Sequence, residues 1–311
     1  MRAPTGIQFE LEADTPSGRA TAVITEVAAG LRRFTVNGVD LVEPFAAEST
    51  PPKGAGIVLV PWPNRIRDGK WTHQGKTLQL SLSEPAKGNA SHGLLRFFPY
   101  RTVLQSQSSV TLEATVFPQT GYPFLLDTRV TYALTEDGLT VTHVLRNDGT
   151  TDAPVALGAH PYFRIGDVPS DDLVMRVAAD THIDVDDRSN PVGESPVEGT
   201  TFDLREGRQV SEIDLDDGFG GVPVVDGRVE HSLTAPDGRR VILWGDENMR
   251  YVQVFTPRDF PGEDGEPRTA VAIEPMTAPA NAFNSGAGLR WLAPGEEWPV
   301  RWGIGHAGFG E

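Results

Sequence analysis

Short runs of alternating apolar and polar residues constrain the fold of this chain more than any other feature. In the segment 126–147, alternate residues from Val130 to Leu134 fall on one face, and the same period resumes at Leu139 after Glu136-Asp137-Gly138. A period of two on both sides of a short polar turn is typical of a β-hairpin with one buried face. We therefore predict a hairpin in this segment.

Two further segments follow the same pattern. Pro236-Asp237-Gly238 separates two runs in "HSLTAPDGRRVILWG", which predicts a second hairpin. In "MRYVQVFT", the alternation predicts one strand face made of Met249, Tyr251, Gln253 and Phe255. The predicted elements are therefore strands joined by tight turns.

Glycine and proline are spread along the whole chain. The 33 glycines and 25 prolines among 311 residues favour many turns between short strands. Helical periodicity is absent apart from "FDLREGRQVSEI", which allows a short helical turn or two, and no repeat of fixed period indicates a propeller or solenoid. We predict an all-β fold, a large and mainly antiparallel sandwich, formed by a single domain over residues 1–311.

Composition excludes several classes of function. The chain has 43 acidic and 27 basic residues, and this net charge of −16 repels phosphate backbones and anionic lipid. The lack of cysteine excludes disulfides and thiol nucleophiles and fits a reducing compartment. No stretch approaches the ~20 apolar residues of a spanning helix, and the N-terminal segment lacks the apolar region of a signal peptide. We expect a cytoplasmic protein with neither nucleic acid nor membrane as a partner.

Two of the seven histidines stand in unusual sequence contexts. His92 lies in the turn-rich segment "GNASHGLLRF", which predicts a loop or strand end facing a cleft. His160 follows the apolar run "APVALGA" and precedes Pro161, which favours extended backbone and interrupts strand pairing. Both positions offer an imidazole to a ligand, and a histidine satisfied by a backbone carbonyl is the structural alternative.

A glutamate and an arginine segment complete the candidate residues. Glu274 follows an apolar run and precedes Pro275, so we expect its carboxylate where a strand leaves the sheet. Burial there would raise its pKa towards neutrality, as a general base requires. In "PWPNRIRDGKW", Asn64 and Arg65 beside the Trp62 indole suit a polyhydroxylated ring. A solvated strand-end charge and a surface ion pair are the alternatives.

Metal-binding patterns are weak. His182 and Asp184 have the spacing of an iron facial triad that His231 would complete. However, the pair stands in an acidic segment rich in proline and glycine, which we expect to be a loop. The aspartates of "EIDLDDGFGG" do not keep the spacing of a calcium loop. We predict no metal site.

Eight short segments, in order along nearly the whole chain, together resemble the aldose 1-epimerases, or mutarotases, of the galactose-mutarotase-like superfamily. They are "PWPNRIRDGKW", "NASHG", "GYPF", "GAHPYFRI", "PVEGTTFDLRE", "DLDDGF", "VQVFTP" and "AIEPMTAPANAF". The resemblance implies a β-supersandwich. It also implies an isomerase that interconverts the α and β anomers of a free aldose without a cofactor.

The resemblance also implies roles for individual residues. Glu274 resembles the catalytic base and His160 the catalytic acid. We expect the two groups on opposite sides of the hemiacetal, as a carboxylate and an imidazolium, so that one takes the anomeric hydroxyl proton and the other protonates the ring oxygen.

Substrate binding is assigned on the same basis. Asp216 resembles the family's binding aspartate, but Asp217 replaces the histidine that usually follows it, so Asp214 and Asp217 stay open as alternatives. The candidate substrate-binding residues are Arg65, His92, Asp216, Asn64 and Tyr162.

The sequence leaves the chemical class of the sugar open. Neutral hexoses such as glucose and galactose come first, while Arg67 and Arg96 could instead read the anionic group of sulfoquinovose or of a hexose 6-phosphate. A non-catalytic carbohydrate-binding sandwich is a further alternative, and it would keep aromatic residues such as Trp62, Tyr162 and Phe163 without needing both proton-transfer groups. The sequence does not indicate an oligomeric state.

Overall fold

The computed structural model describes residues 2–309, and nearly all of their regular structure is β-strand. The helical elements are α1 (Ala282–Ser285) and three 3-10 turns at Pro52–Gly54, Ser170–Asp172 and Val210–Glu212. The strands, in chain order, are β1 (Gln8–Thr15), β2 (Gly18–Thr25), β3 (Leu31–Val36), β4 (Val39–Asp40), β5 (Val58–Leu59), β6 (Arg65–Arg67), β7 (Lys70–His73), β8 (Lys76–Gln79), β9 (Asn89–Ser91), β10 (Arg101–Gln105), β11 (Ser109–Val116), β12 (Leu126–Thr135), β13 (Gly138–Asn147), β14 (Ala153–Val155), β15 (Gly158–Ala159), β16 (Tyr162–Phe163), β17 (Val174–Val177), β18 (Thr181–Val185), β19 (Pro191–Pro196), β20 (Arg208–Gln209), β21 (Asp216–Gly220), β22 (Arg228–Thr234), β23 (Arg240–Asp246), β24 (Tyr251–Phe255), β25 (Phe260–Pro261), β26 (Pro267–Arg268), β27 (Val271–Met276), β28 (Arg290–Leu292) and β29 (Glu297–Ala307).

Two large sheets dominate the architecture. One has nine strands in the order β10-β11-β12-β13-β29-β23-β22-β17-β20, and the other has the order β19-β18-β21-β24-β27-β15-β5, with β16 also paired to β27. Smaller sheets are formed by β1–β4 and by the pairs β14-β28, β25-β26, β6-β9 and β7-β8. All of these strand pairs are antiparallel, so the predicted antiparallel all-β class is confirmed.

The two large sheets share one hydrophobic core. Val130 and Tyr132 of the nine-stranded sheet and Val254 and Ile273 of the other belong to the same buried cluster. Removal of this apolar surface from water is the main force that holds the layers together. Within residues 2–309, no helix has the length and apolar composition needed to cross a bilayer.

Both predicted hairpins are confirmed. In the first, Thr135 pairs with Gly138, so the turn is Glu136 and Asp137 and the glycine already belongs to β13. The second hairpin joins β22 and β23 around Asp237, where Gly238 has a φ of +90°, a conformation that glycine adopts without strain. The helical turn predicted near residue 210 is the 3-10 turn Val210–Glu212.

One predicted strand face is wrong at its first residue. Met249 lies in the turn before β24, where its amide donates to the carbonyl of Asp246, and its side chain is buried in the core. The alternation holds from Tyr251 onward: Val252 and Val254 point into the core, and Gln253 points to the other face.

Candidate active site

The centre of the eight-stranded sheet carries the candidate base. Glu274 lies inside β27, beside Gln253 of β24, and is 2% exposed. The prediction that Glu274 marks the end of its strand is wrong. Pairing of Met276 with both Tyr251 and Gly158 carries β27 past the proline at position 275. The carboxyl group is therefore held by a strand with neighbours on both sides.

The candidate acid lies between two short strands. His160 connects β15 to β16; its amide donates to the carbonyl of Ile57 (3.1 Å), and its carbonyl accepts from the amide of Gly56 (2.8 Å). The imidazole is buried and stacks on the ring of Tyr162, with ring centroids 5.2 Å apart. Tyr162 is itself 1% exposed, and its hydroxyl donates to the carbonyl of Lys53 at 3.4 Å. The candidate binding residue Tyr162 therefore packs against the His160 ring and does not line an open surface.

His92 is held by a neighbouring loop. It directly follows β9, as predicted, and its amide donates to the carbonyl of Asn64 at 2.8 Å. Both residues have a left-handed backbone, with φ of +61° for His92 and +52° for Asn64. A Cβ on Gly93 would lie 2.0 Å from the carbonyl oxygen of Val60, so only glycine allows these segments to approach so closely. This packing brings the ring of His92 to 5.5 Å from that of His160.

The candidate acid and base are in direct contact. Nε2 of His160 lies 3.3 Å from Oε1 of Glu274. The two groups therefore touch each other, and their placement on opposite sides of a bound sugar stays a prediction. Oε2 of Glu274, Nδ1 of His160 and Nδ1 of His92 are buried without a hydrogen-bond partner in residues 2–309. The pair and its neighbour His92 thus hold three polar atoms that could bond to a ligand.

Burial determines which protonation states this pair favours. It raises the pKa of Glu274 well above its ordinary value, and Asp216 raises it further while Arg65 opposes the shift. Burial also lowers the pKa of His160 to about 4. Both shifts favour the uncharged forms, a carboxylic acid and a neutral imidazole, over the ionised ones. Together they hold one proton, as many as the carboxylate and imidazolium that the sequence analysis expected.

A polar network extends from the pair. Gln253 Nε2 donates to Asp216 Oδ1 (2.9 Å), and its Oε1 accepts from Asn64 Nδ2 (3.0 Å). Arg65 makes two hydrogen bonds to Glu84, at 2.9 and 3.1 Å, and a longer one of 3.4 Å to Asp216. The network fixes the directions of an amide, a guanidinium and a carboxylate around one site.

The three candidate aspartates differ in their contacts. Asp216 is the one that contacts Arg65 and Gln253, whereas Asp214 is exposed and Asp217 faces His182. Gln253 belongs to this network although no sequence motif predicts a site role for it. Its one sign in the sequence is a single polar residue between the valines of a buried strand.

Other candidates lie away from the site. Trp62 is 2% exposed and packs against Tyr122 and Phe283 in the core, so it offers no platform to a sugar. Phe163 is equally buried in the core. Arg67 pairs with Asp186 at 2.8 Å, outside the contacts of His160 and Glu274.

The suggested metal triad is not assembled. His182 and Asp184 lie on β18, not in a loop, while His231 is buried on β22 of the other large sheet and accepts a hydrogen bond from the amide of Ala178. Within residues 2–309, no three histidine, aspartate or glutamate side chains are close enough together to hold a metal ion.

A cavity of about 620 Å³ adjoins the site. His92 and Gly54 form its wall towards His160, since a Cβ on Gly54 would lie 3.4 Å from that imidazole. Arg96 and Lys53 also line it. Arg96 donates to the carbonyl of Ser83 (3.1 Å) and lies over the Phe97 ring, 4.6 Å from its centroid, while Lys53 pairs with Asp259 at 2.9 Å.

A sandwich of two antiparallel sheets with a buried histidine–glutamate pair agrees with the family that sequence comparison identifies. The family model for aldose 1-epimerase matches residues 12–304. The chain belongs to the aldose 1-epimerase family.

Individual relatives support this membership. The uncharacterized protein YihR of Escherichia coli K12 is 34% identical over 281 residues, which cover 90% of this chain and 88% of that protein. Galactose mutarotase of Rattus norvegicus is 37% identical over 160 residues, which cover 48% of this chain and 45% of that protein. Among solved structures, a GalM/aldose epimerase homologue from C. elegans has a TM-score of 0.83 at 21% identity, covering 97% of this chain and 100% of that one, and therefore shows the same fold.

Proposed function

We propose that this protein interconverts the α and β anomers of a free aldohexose of the glucose or galactose type. The observation that carries the proposal is the contact between the buried side chains of His160 and Glu274. The anomeric oxygen and the ring oxygen of a hemiacetal are bonded to the same carbon. A base and an acid that serve both oxygens must therefore be neighbours, as these two groups are.

The proposed reaction uses one proton that the two side chains hold between them. Transfer of the shared proton across the 3.3 Å contact gives a Glu274 carboxylate and a His160 imidazolium. The carboxylate takes the proton of the anomeric hydroxyl, whose oxygen forms the carbonyl, while the imidazolium protonates the ring oxygen as its bond to C1 breaks. The open aldehyde is then flanked by a carboxylic acid and a neutral imidazole, which is the form that burial favours.

Reclosure reverses these steps. Rotation about the C1–C2 bond presents the other face of the aldehyde to the same hydroxyl. His160 takes the proton of that hydroxyl, Glu274 returns a proton to the carbonyl oxygen, and the other anomer forms. Arg65, His92, Asn64, Gln253 and Asp216 are proposed to orient the sugar through its hydroxyl groups.

A second candidate substrate is a sugar with an anionic substituent. Arg96 and Lys53 line the cavity beside His92, and Arg96 has no ion-pair partner among the described residues. A guanidinium suits a sulfonate or phosphate through paired hydrogen bonds. This candidate predicts faster anomeric exchange for anionic sugars than for neutral ones. Arg96→Gln should slow the exchange of anionic sugars selectively, whereas the matched control Arg67→Gln should not.

The test is NMR exchange between α and β anomeric protons with catalytic amounts of protein. The panel is glucose, galactose, glucose 6-phosphate and sulfoquinovose. We expect acceleration of the neutral hexoses, and a stronger acceleration of the anionic sugars would favour the second candidate. Binding of these sugars by a folded protein, with no acceleration for any of them, would refute both and favour a carbohydrate-binding sandwich.

A further inference from the structure

His182 is held between two carboxylates next to the site. Its Nδ1 lies 3.0 Å from Asp184 Oδ1, and its Nε2 lies 2.9 Å from Asp217 Oδ1. The Phe202 ring stacks on the buried imidazole with centroids 3.7 Å apart, and the edge of Phe219 meets it at 5.6 Å. Both nitrogens and one face of the ring are therefore occupied.

This arrangement ties two strands to one ring. Carboxylate oxygens accept hydrogen bonds from protonated ring nitrogens, so His182 can bridge Asp184 and Asp217. Ser195 donates to the second oxygen of Asp184 (2.5 Å), and this bond together with the one from His182 lowers the pKa of Asp184. Within residues 2–309, the salt-bridge contacts of Asp184 and of Asp217 are made to His182 alone.

Asp217 links this cluster to the candidate substrate-binding aspartate. Its Oδ2 accepts the backbone N–H of Asp216 at 3.1 Å, while its Oδ1 faces His182. The side chain of Asp216 points the other way, to Gln253 and Arg65. One carboxylate thus fixes the start of β21 at the point where the chain enters the site.

We propose that His182 is a positioning residue whose ring holds Asp217, and through it the backbone of Asp216, so that the Asp216 carboxylate faces the sugar. This role rests on the proposed function, because it assigns Asp216 to sugar binding. It places a histidine without substrate contact in control of substrate affinity.

The first test compares two isosteric variants. In Asp217→Asn the amide cannot accept from both His182 and the Asp216 N–H, because one of its two polar atoms is a donor. We expect KM to rise about tenfold with kcat changed less than about threefold, since a hydrogen bond that positions a binding group is lost. Asp184→Asn is the matched control: its amide oxygen still accepts from His182, the Asp217 contact is untouched, and KM should stay within about twofold.

Two outcomes would overturn the positioning role. One is an unchanged KM in a folded Asp217→Asn variant, even if its melting temperature falls. The other is an equal rise in KM in Asp184→Asn, which would indicate a general weakening of β18.

The second test needs no sugar and therefore separates this proposal from the function. In the ¹⁵N-labelled protein without sugar, the backbone amide resonance of Asp216 should shift clearly in His182→Leu and much less in Asp184→Asn, because Asp217 accepts this N–H and contacts His182. An unchanged Asp216 resonance in folded His182→Leu would overturn the positioning role. A wild-type protein that binds sugars without anomeric exchange would refute the proposed function, yet Asp217→Asn should still weaken binding if Asp216 is positioned through His182.

Discussion

At the scale of single residues, the two proton-transfer groups are defined by their burial and their contact. A carboxyl group and an imidazole, each under 5% exposed, lie 3.3 Å apart, and burial favours the uncharged form of each. In water each group would take its charged form more readily, since both ionised forms are well hydrated there. The protein keeps the pair close to the protonation state that ring opening produces.

This state predicts the pH dependence. The pair is active while it holds one proton, so activity is lost as pH falls through the pKa of His160, about 4, where a second proton binds. On the acid side, we expect kcat/KM, corrected for spontaneous exchange, to stay flat down to about pH 5 and to decrease as pH approaches about 4. Polarimetry or NMR exchange from pH 3.5 to 9 measures this profile. An inflection near 6.5, the ordinary value for histidine, would contradict the assigned burial effect.

The roles of single residues were the part of the site most accessible to sequence. Family resemblance in the segments "GAHPYFRI" and "AIEPMTAPANAF" identified His160 and Glu274 as the candidate acid and base. Their contact and shared proton could not be predicted, because they depend on the pairing of Gly158 with Met276, more than a hundred residues apart in the chain.

At the scale of elements, β24 and β27 place polar groups on one face of a sheet whose other face is core. Gln253 and Glu274 are cross-strand partners, while Val254 and Ile273 beside them belong to the hydrophobic core. A register shift of one residue would exchange the two faces, so the strand pairing itself specifies the site. Alternation predicted the face of Gln253, but its partner strand could not be predicted from local pattern.

Gln253 should therefore matter although it is not a proton-transfer group. Gln253→Leu leaves the buried Asn64 amide without its partner, at a cost of about 1–3 kcal/mol, and removes the hydrogen bond that orients Asp216. We expect kcat/KM to fall about 10- to 100-fold. Gln209→Leu, on the exposed edge strand β20, is the control and should retain activity. Equal activity in the two variants would show that the network is not needed.

At the scale of the whole molecule, the fold buries two neutral histidines in the nine-stranded sheet. His143 and His231 are at most 2% exposed, and burial lowers the pKa of each to about 3. The unfolded chain binds protons at these positions below about pH 6.5, whereas the folded chain does not. Stability must therefore fall as pH decreases from about 6.5 towards 3.

Replacement of one of these histidines tests the effect. The carbonyl oxygen of His143→Gln can still accept the Trp302 N–H, which lies 3.0 Å from the imidazole. Between pH 6 and pH 4, urea unfolding should show a pH dependence weaker by about 1.4 kcal/mol per pH unit than that of the wild type. An unchanged slope would contradict the neutral burial of His143.

The all-β class could be predicted from alternation and turn residues, because these act over a few residues. The order of strands in the two sheets could not, since it depends on contacts between distant segments such as β5 and β15. For the same reason, the contact between Asp217 and His182 could not be predicted, because the two residues are 35 positions apart in the chain.

The most direct test of the central claim is the anomeric exchange rate of Glu274→Gln beside that of Glu113→Gln. Both wild-type side chains are buried glutamates on strands, but Glu113 pairs with Arg129 in the nine-stranded sheet, away from the site. If Glu274 is the base, its variant should lose at least about 100-fold in rate while remaining folded, and the control should keep near-normal exchange. Near-normal exchange in folded Glu274→Gln would contradict the account.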